Sequence, residues 1–340
     1  MSTVGGFGAA HTLSATTSDC VSCVKFSPKE CPMLLVGVAA WDGSCSVWQV
    51  GRDASGGVIS QPTWTSSHDG PLLGISFSPD GRVFYGGCTK TAVMWDLNSD
   101  QKSVVASHDL PISCLDYVTL PQTMSSVLIT GSWDGKLRWW DLRQQNFVME
   151  QNLGEPIFTL DAQKTVPMMA AATGRLVHIY DLQSSQKVSE LKVPDVMKFN
   201  IRCVTCAPQY DGVGVGSSEG RVSFVNMKEQ PGCTFKAHIG TEKNHYILNQ
   251  ANFCVHHPSK PVLFSGGGDG NITVINRGER KIIKTLQCEQ KMNDLPIPIS
   301  AGDISGDGSL LAYAHSYDWA MGKSGYRNQS TSVHIRTVGF

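Results

Sequence analysis

The chain has 340 residues, of which 41% are hydrophobic and 17% are charged, and its 28 basic and 29 acidic residues leave a formal net charge of -1. A chain of this length can bury a large core, and its neutral balance argues against a dedicated nucleic-acid binder, which would carry clustered Lys and Arg. Eleven cysteines at irregular spacing argue against a disulfide framework and favour a reducing compartment.

The first ten residues, MSTVGGFGAA, contain neither a basic start nor a long apolar run. We therefore expect no signal peptide and no membrane anchor. Extracellular and membrane-embedded functions are accordingly not expected.

A two-part unit then recurs along the chain. Its first part is a short apolar strand, often followed by Pro, at residues 20–28, 71–81, 111–118, 156–162, 201–208, 252–258 and 298–308. Its second part is a hairpin whose returning strand carries Trp48, Trp95, Trp140, Tyr180, Val225, Ile275 or Ile335. Seven units of ~40–45 residues are typical of the four-stranded blades of a β-propeller. Because no long window shows helical spacing, the sequence predicts a single all-β domain, a seven-bladed β-propeller.

The third unit, residues 130–142, is the most complete. Its Asp134-Gly135 pair lies between β-prone runs and predicts a two-residue type I′ turn. The unit resembles the repeats of WD-repeat proteins, which carry a His before the first strand, an Asp in the turn and a Trp on the third strand. The resemblance implies that His108, Asp134 and Trp140 form a buried hydrogen-bonded set, with the hydroxyl of Thr130 or Ser132 as partner.

The last unit has only one strand after its insertion, so it lacks an outermost strand. We expect residues 9–14 to supply that strand, which would join the two termini and remove an exposed edge. The predicted propeller therefore spans residues 9–340, and residues 1–8 are predicted to be a flexible tail.

Motifs of catalysis are not evident in the sequence. The pairs Cys20/Cys23 and Cys203/Cys206 lie in predicted strands, where residues three apart point to opposite faces, and they are interpreted as buried small hydrophobes. The glycines of residues 266–270 suit a hairpin, because no helix with a Lys-Ser/Thr pair follows them. We therefore predict a non-catalytic scaffold that presents binding loops and needs no cofactor, no metal and no small-molecule substrate.

Three places depart from the repeat. Arg221 follows a turn glycine, where it could be a solvated surface charge or a clamp for partner carboxylates. The loop at residues 238–250 is long for its position. The insertion at residues 316–327 mixes aromatic and cationic side chains, a combination that favours partner recognition or stacking on unpaired bases.

A closer resemblance covers almost the whole chain. The segments at 219–222 (EGRV), 235–238 (FKAH) and 40–43 (AWDG) are similar to those of the WD-repeat messenger-RNA export factors of the nuclear pore and of their siblings, the WD-repeat spindle-checkpoint proteins. The run at 316–319 (SYDW) resembles the export family.

The resemblance implies that a short GLEBS motif of a nucleoporin docks across the top face of the propeller. It places Arg221, Glu219 and Trp41 in that partner site, with Arg221 pairing with a glutamate of the motif and Trp41 supplying apolar contact. It also implies a possible nucleic-acid groove at Phe235, Trp319 and Lys323.

The sequence thus predicts a messenger-RNA export adaptor of the nucleus, the nuclear envelope and the nuclear pore complex, also present in the cytoplasm. One alternative is a mitotic adaptor that binds such motifs in checkpoint kinases, with checkpoint or spindle proteins as partners. An alternative of another class is a module that binds single-stranded RNA or messenger ribonucleoprotein directly. The only dense basic run in the sequence consists of Arg277, Arg280, Lys281 and Lys284.

Overall fold

The apolar strand-and-hairpin units form seven antiparallel sheets of four strands each, arranged as the blades of a propeller. The computed structural model describes residues 6–14, 17–120, 126–163, 167–209, 211–227, 232–238, 250–287, 291–292, 295–320, 322–326 and 331–339. In this part of the chain, a two-stranded ribbon (Lys291–Met292 with Leu295–Pro296) and one helical turn (Gly322–Gly325) accompany the blades. The predicted all-β, seven-bladed propeller is confirmed. No helix within these ranges is long and apolar enough to cross a membrane.

The blades follow one another along the chain, and the first strand of each lies innermost. Blades 1 and 2 consist of Val21–Phe26, Leu35–Ala40, Ser44–Arg52 and Val58–Ser67, then Leu72–Phe77, Val83–Gly87, Thr91–Asp96 and Gln101–Ser107. Blades 3 and 4 consist of Ile112–Thr119, Ser126–Ser132, Lys136–Asp141 and Phe147–Asn152, then Ile157–Gln163, Met168–Thr173, Leu176–Asp181 and Gln186–Lys192. Blades 5 and 6 consist of Ile201–Cys206, Gly212–Ser217, Arg221–Asn226 and Cys233–Lys236, then Ala251–His256, Val262–Gly267, Asn271–Asn276 and Lys281–Gln287. Blade 7 consists of Ile299–Ile304, Leu310–His315, Ser332–Thr337 and the N-terminal strand His11–Thr12.

The hydrophobic core lies between neighbouring blades. Second strands such as Leu35–Ala40 and Met168–Thr173 are buried along their whole length, because each is covered on both faces. Between blades 2 and 3, for example, the rings of Phe84 and Tyr117 stack with centroids 4.8 Å apart. The core is therefore shared by neighbours, and a single blade could not bury its own faces.

The two termini close the ring as predicted. His11 and Thr12 pair with Ile335 and His334 of the last strand, so the N-terminal segment is the outermost strand of blade 7. Two residues of the predicted tail also contact this blade: Phe7 bridges Val338, and the Gly8 N–H donates to the Thr337 carbonyl (3.0 Å). Residues 1–5 of that tail lie outside the described residues.

A ring of residues at the fifth position of every first strand lines the central channel. These residues are Lys25, Ser76, Asp116, Asp161, Thr205, Val255 and Asp303. Their carboxylates join one blade to the next: Asp161 accepts from the Cys206 N–H (2.6 Å), and Asp303 accepts from the Phe26 N–H (2.8 Å). The carboxylate of Asp303 also raises the pKa of the Lys25 ammonium, which lies 3.8 Å away. Polar groups in the channel thus satisfy backbone donors at the blade interfaces.

The structure brings His108, Asp134 and Trp140 together through the hydroxyl of Thr130. The Nδ1 atom of His108 lies 3.0 Å from Asp134 Oδ2, and its Nε2 atom lies 2.8 Å from Thr130 Oγ1. The Trp140 Nε1–H donates to the same hydroxyl oxygen (2.8 Å). Burial lowers the pKa of His108, so the neutral ring can donate through Nδ1 and accept through Nε2. Every polar group of the set then has a partner.

The hairpin turn of blade 3 differs from the predicted two-residue type I′ turn. Its loop contains three residues, 133–135, and only Gly135 has a positive φ (80°). The Gly135 N–H donates to the Ser132 carbonyl (3.1 Å), and Asp134 Oδ1 accepts from the Lys136 N–H (2.9 Å). The extra residue allows the Asp134 carboxylate to cap its own turn while it contacts His108.

Replacing Thr130 by Val should destabilise the fold. Two buried polar nitrogens, on His108 and Trp140, would lose their shared partner, and we expect the free energy of unfolding to fall by about 2–4 kcal/mol. Urea denaturation measures this change. The matched control is Thr63→Val, at an exposed position on the outer strand of blade 1, which should change the free energy by less than about 0.5 kcal/mol. Equal losses in the two variants would contradict the role of the network.

Two buried histidines of blade 7 should make the fold less stable in acid. Burial lowers the pKa of His315 and of His334 from 6.5 to about 4, and the positive charge of Arg336 adds to both shifts. Between pH 6.5 and about pH 4, these two histidines bind protons in the unfolded chain but not in the folded chain. The free energy of unfolding should therefore fall from pH 6.5 to about pH 4, by about 3 kcal/mol for each histidine. His334→Gln, which stays neutral, should flatten this decrease in pH-dependent denaturation, and an unchanged slope would contradict the assignment.

Candidate functional site

One mouth of the central channel is lined by seven β-bulges. Each first strand has a bulge at its second residue, which turns that side chain toward the channel. The seven residues are Ser22, Leu73, Ser113, Phe158, Arg202, Asn252 and Ser300, and all of them line a cavity of about 220 Å³. This mouth opens on the hairpin face, defined as the face that carries the turns between second and third strands and the loops that join consecutive blades.

Aromatic side chains surround this mouth. Trp41, Trp133, Phe158 and Trp319 all line the cavity and are 36–40% exposed. Trp41 and Trp133 occupy equivalent positions, directly after the second strands of blades 1 and 3. Trp133 is absent from the partner site that the sequence predicts, although the repeated Trp-Asp-Gly triplet could have indicated it.

The insertion of blade 7 folds into a compact aromatic cluster beside the mouth. The rings of Trp319 and Tyr326 stack with centroids 5.5 Å apart, and Tyr317 meets both edge-on. The Tyr317 hydroxyl donates to the Gly322 carbonyl (2.8 Å), which holds the cluster on the helical turn. Lys323 is exposed on that turn. One face of the Trp319 ring is therefore already covered by Tyr326.

Besides three serines, the side chains of Asn252, Asp318 and Arg202 line the same cavity. The Asn252 Nδ2 group donates to the Ile299 carbonyl (2.8 Å) and to Asp318 Oδ2 (3.2 Å), whereas its Oδ1 atom is buried without a hydrogen-bond partner among the described residues. Burial raises the pKa of the Asp318 carboxyl. Arg202 is exposed and forms no ion pair with a carboxylate in the described ranges. The mouth thus presents the Arg202 guanidinium without an ion-pair partner among the described residues, and this arginine is not among the site residues predicted from the sequence.

The Glu219-Gly220-Arg221 turn of blade 5 lies on the same face. Arg221 Nε lies 3.5 Å from Glu219 Oε2, and Glu219 Oε1 accepts from the Lys198 N–H (2.7 Å). Both carboxylate oxygens of Glu219 are thus engaged within the chain. Arg221 contacts Glu219 through Nε, and its Nη groups have no partner among the described residues, so they could form a bidentate contact. Neither residue lines the cavity at the mouth.

The structure does not bring Phe235 to Trp319 and Lys323. Phe235 is in the outermost strand of blade 5 and packs against a cluster between blades 5 and 6 that includes Val222 and Ile275. Trp319, in contrast, lies at the channel mouth. His238, from the same predicted segment, contacts Asp269 (Nδ1 to Oδ1, 3.0 Å) and Ser265 (Nε2 to Oγ, 2.7 Å), as His108 contacts its own set in blade 3. The segment that contains Phe235 and His238 therefore stabilises the junction of two blades.

The exposed apolar side chains have an uneven distribution. Among the residues that the structure describes, thirteen large hydrophobic side chains are exposed, and six of these lie on outermost strands. The other seven all lie on the hairpin face: Trp41, Leu110, Trp133, Phe158, Val196, Phe199 and Trp319. None lies on a described loop of the opposite face. A concentration of exposed apolar side chains on one face favours a role in binding.

The described His, Cys, Asp and Glu residues bear on metal binding and on thiol chemistry. Within the described ranges, no group of three or more His, Cys, Asp or Glu is arranged to hold a metal ion. The ten cysteines of these ranges are free thiols, and burial raises the pKa of Cys20, Cys45 and Cys114. Such thiols are poor nucleophiles. The exposed apolar and charged side chains of the hairpin face suit the binding of a partner.

Comparison with known proteins places the chain in a family. The model of the WD domain, G-beta repeat, matches residues 9–49, 60–96 and 99–141. Protein Rae1 of Drosophila melanogaster is 30% identical over 320 residues, which are 91% of this chain and 88% of the fly protein. The mRNA export factor of Xenopus tropicalis is 31% identical over 332 residues, which are 93% of this chain and 86% of the frog protein. The Poly(A)+ RNA export protein of Schizosaccharomyces pombe is 28% identical over 309 residues, 89% and 83% of the respective chains. The chain belongs to the family of WD-repeat messenger-RNA export factors.

Proposed function

We propose that the protein is a non-catalytic adaptor of messenger-RNA export, which docks a GLEBS-type segment of a nucleoporin on its hairpin face. The observation that carries this proposal is the concentration of exposed apolar side chains on that face. The names of the frog and yeast relatives, an mRNA export factor and a Poly(A)+ RNA export protein, support the export role. The proposed places of action are the nucleus and the nuclear pore, with a further pool in the cytoplasm.

The chemistry of the face favours a segment that is both apolar and acidic. The aromatic rim of Trp41, Trp133 and Trp319 offers apolar area, and removal of such area from water favours association. Arg202 and Arg221 each offer a guanidinium that can bind a carboxylate in a bidentate manner. Apolar anchors supply affinity, whereas the two arginines select for acidic residues and fix the register of the segment.

Charge reversal at the two arginines tests this function. Arg202→Glu and Arg221→Glu should each weaken binding of the nucleoporin segment by about 2–5 kcal/mol, because like charges would meet at a desolvated contact. Binding of the purified variants to the segment is measured by calorimetry. Lys29→Glu, at an exposed position on the opposite face, is the matched control and should bind as the wild-type protein does. Wild-type affinity in both arginine variants would contradict the proposal.

Affinity purification of the tagged protein in interphase and in mitosis identifies the partner. We expect nucleoporins to be recovered. Recovery of checkpoint kinases in their place would assign the hairpin face to the spindle-checkpoint alternative.

Direct binding of single-stranded RNA has less support. In the basic run of blade 6, Arg277 is buried and paired with Asp211 (2.6 Å), and Lys281 lies beside Glu279. Phosphate contacts would need these cations to be free. A salt-sensitive affinity for a single-stranded RNA that Trp319→Ala abolishes would favour this second function over the first.

A further inference from the structure

The loop between blades 4 and 5, residues 193–200, holds two further apolar side chains on the hairpin face. Val196 is 52% exposed and Phe199 is 59% exposed, which are the largest values among the large hydrophobic residues of that face. We propose that these two side chains bind an apolar residue of the docked segment, next to the acidic residue that Arg221 holds. This inference rests on the proposed function and extends its binding surface beyond the channel mouth.

The backbone of residues 193–200 is held in place by the neighbours of Val196 and Phe199. Val193 and Met197 are buried in the core cluster shared by blades 4 and 5. The Met197 N–H donates to the Pro194 carbonyl (2.8 Å), and the Val193 N–H donates to the Arg175 carbonyl (3.3 Å). Val196 and Phe199 are therefore exposed on an ordered backbone. An apolar pair in a fixed position loses little conformational entropy on binding.

One carboxylate joins this loop to the arginine. Glu219 Oε1 accepts from the Lys198 N–H (2.7 Å), directly beside Phe199, and Glu219 Oε2 faces Arg221 Nε (3.5 Å). The side chain of Glu219 is 17% exposed, so it is held mostly inside the protein. Glu219 is therefore a positioning residue, which sets the apolar pair and the guanidinium at a constant separation.

The charged residues around Val196 and Phe199 indicate which kind of segment binds there. Arg221, Arg202 and Lys198 lie on this side of the face, and Glu219 is already engaged within the chain. Asp195, in the same loop, lies 3.7 Å from the Lys192 ammonium. The charge that remains among these described residues is positive, so the surface fits an acidic segment that carries an apolar residue beside its carboxylate.

The first test measures how much the side chain of Phe199 contributes to the affinity for the docked segment. The probe is a synthetic GLEBS-type peptide of the nucleoporin from the same organism, and the full chain is used. Phe199→Ser should lower the affinity about tenfold, because an exposed anchor is removed without a change in charge. Val188→Ser is the matched control, since Val188 is similarly exposed (49%) but lies on the outermost strand of blade 4. It should stay within about twofold of the wild-type affinity.

The second test separates positioning from charge at Glu219. Glu219→Gln keeps an oxygen that can accept from the Lys198 N–H, whereas Glu219→Ala removes it. We expect Glu219→Ala to lower the affinity about tenfold and Glu219→Gln to change it by less than about threefold. The double variant Phe199→Ser/Glu219→Ala should lose less affinity than the two single losses combined, because both act through one contact.

Four outcomes bear on the inference. A loss in Phe199→Ser that Val188→Ser does not share supports it. A photo-crosslinking phenylalanine analogue at position 199 should also capture the peptide, and failure to do so overturns the inference. Wild-type affinity in Phe199→Ser, together with lost binding in Arg202→Glu and Arg221→Glu, overturns the inference and leaves the proposed function standing. Wild-type affinity in both arginine variants overturns the proposed function itself.

Discussion

The carboxylate of Asp303 joins the last blade to the first, and the rest of the structure depends on the ring that it helps to close. It accepts the Phe26 N–H (2.8 Å) inside the channel and lies 3.8 Å from the Lys25 ammonium. At the outer edge, His11 and Thr12 complete the same blade. An open ring would expose the buried faces of two blades and an unpaired strand edge, both of which favour aggregation.

Closure also assembles the candidate site. Trp41, Trp133 and Trp319 come from blades 1, 3 and 7, yet they surround one mouth because the first strands converge on a common axis. The β-bulges then direct one side chain of every blade into that mouth. Repetition of a single strand irregularity therefore produces a binding cavity from residues that have little in common in sequence.

Stability and recognition use different parts of the same hairpin. In blade 3, Asp134 is tied to His108 below the turn, whereas Trp133 projects from the turn to the aromatic rim. Blade 5 repeats this division, because Glu219 accepts from the Lys198 N–H, whereas the Nη groups of Arg221 have no partner in the described part of the chain. A firmly hydrogen-bonded base under an exposed anchor lowers the entropy cost of docking.

The sequence by itself determined the seven blades and the terminal closure, whereas the polar set of His108, Asp134 and Trp140 came from its resemblance to WD repeats. The blades follow from the recurrence of one strand-and-hairpin unit along the chain, and the closure follows from the need to cover the strand edge of the last unit. Only the tertiary structure decided that Arg202 and Trp133 share a mouth with Trp41, and that Phe235 lies apart from Trp319. It also added a third residue to the predicted turn at Asp134. The physical reason is that these arrangements depend on how far each strand rotates and bulges as the ring closes, which is a property of all seven blades together.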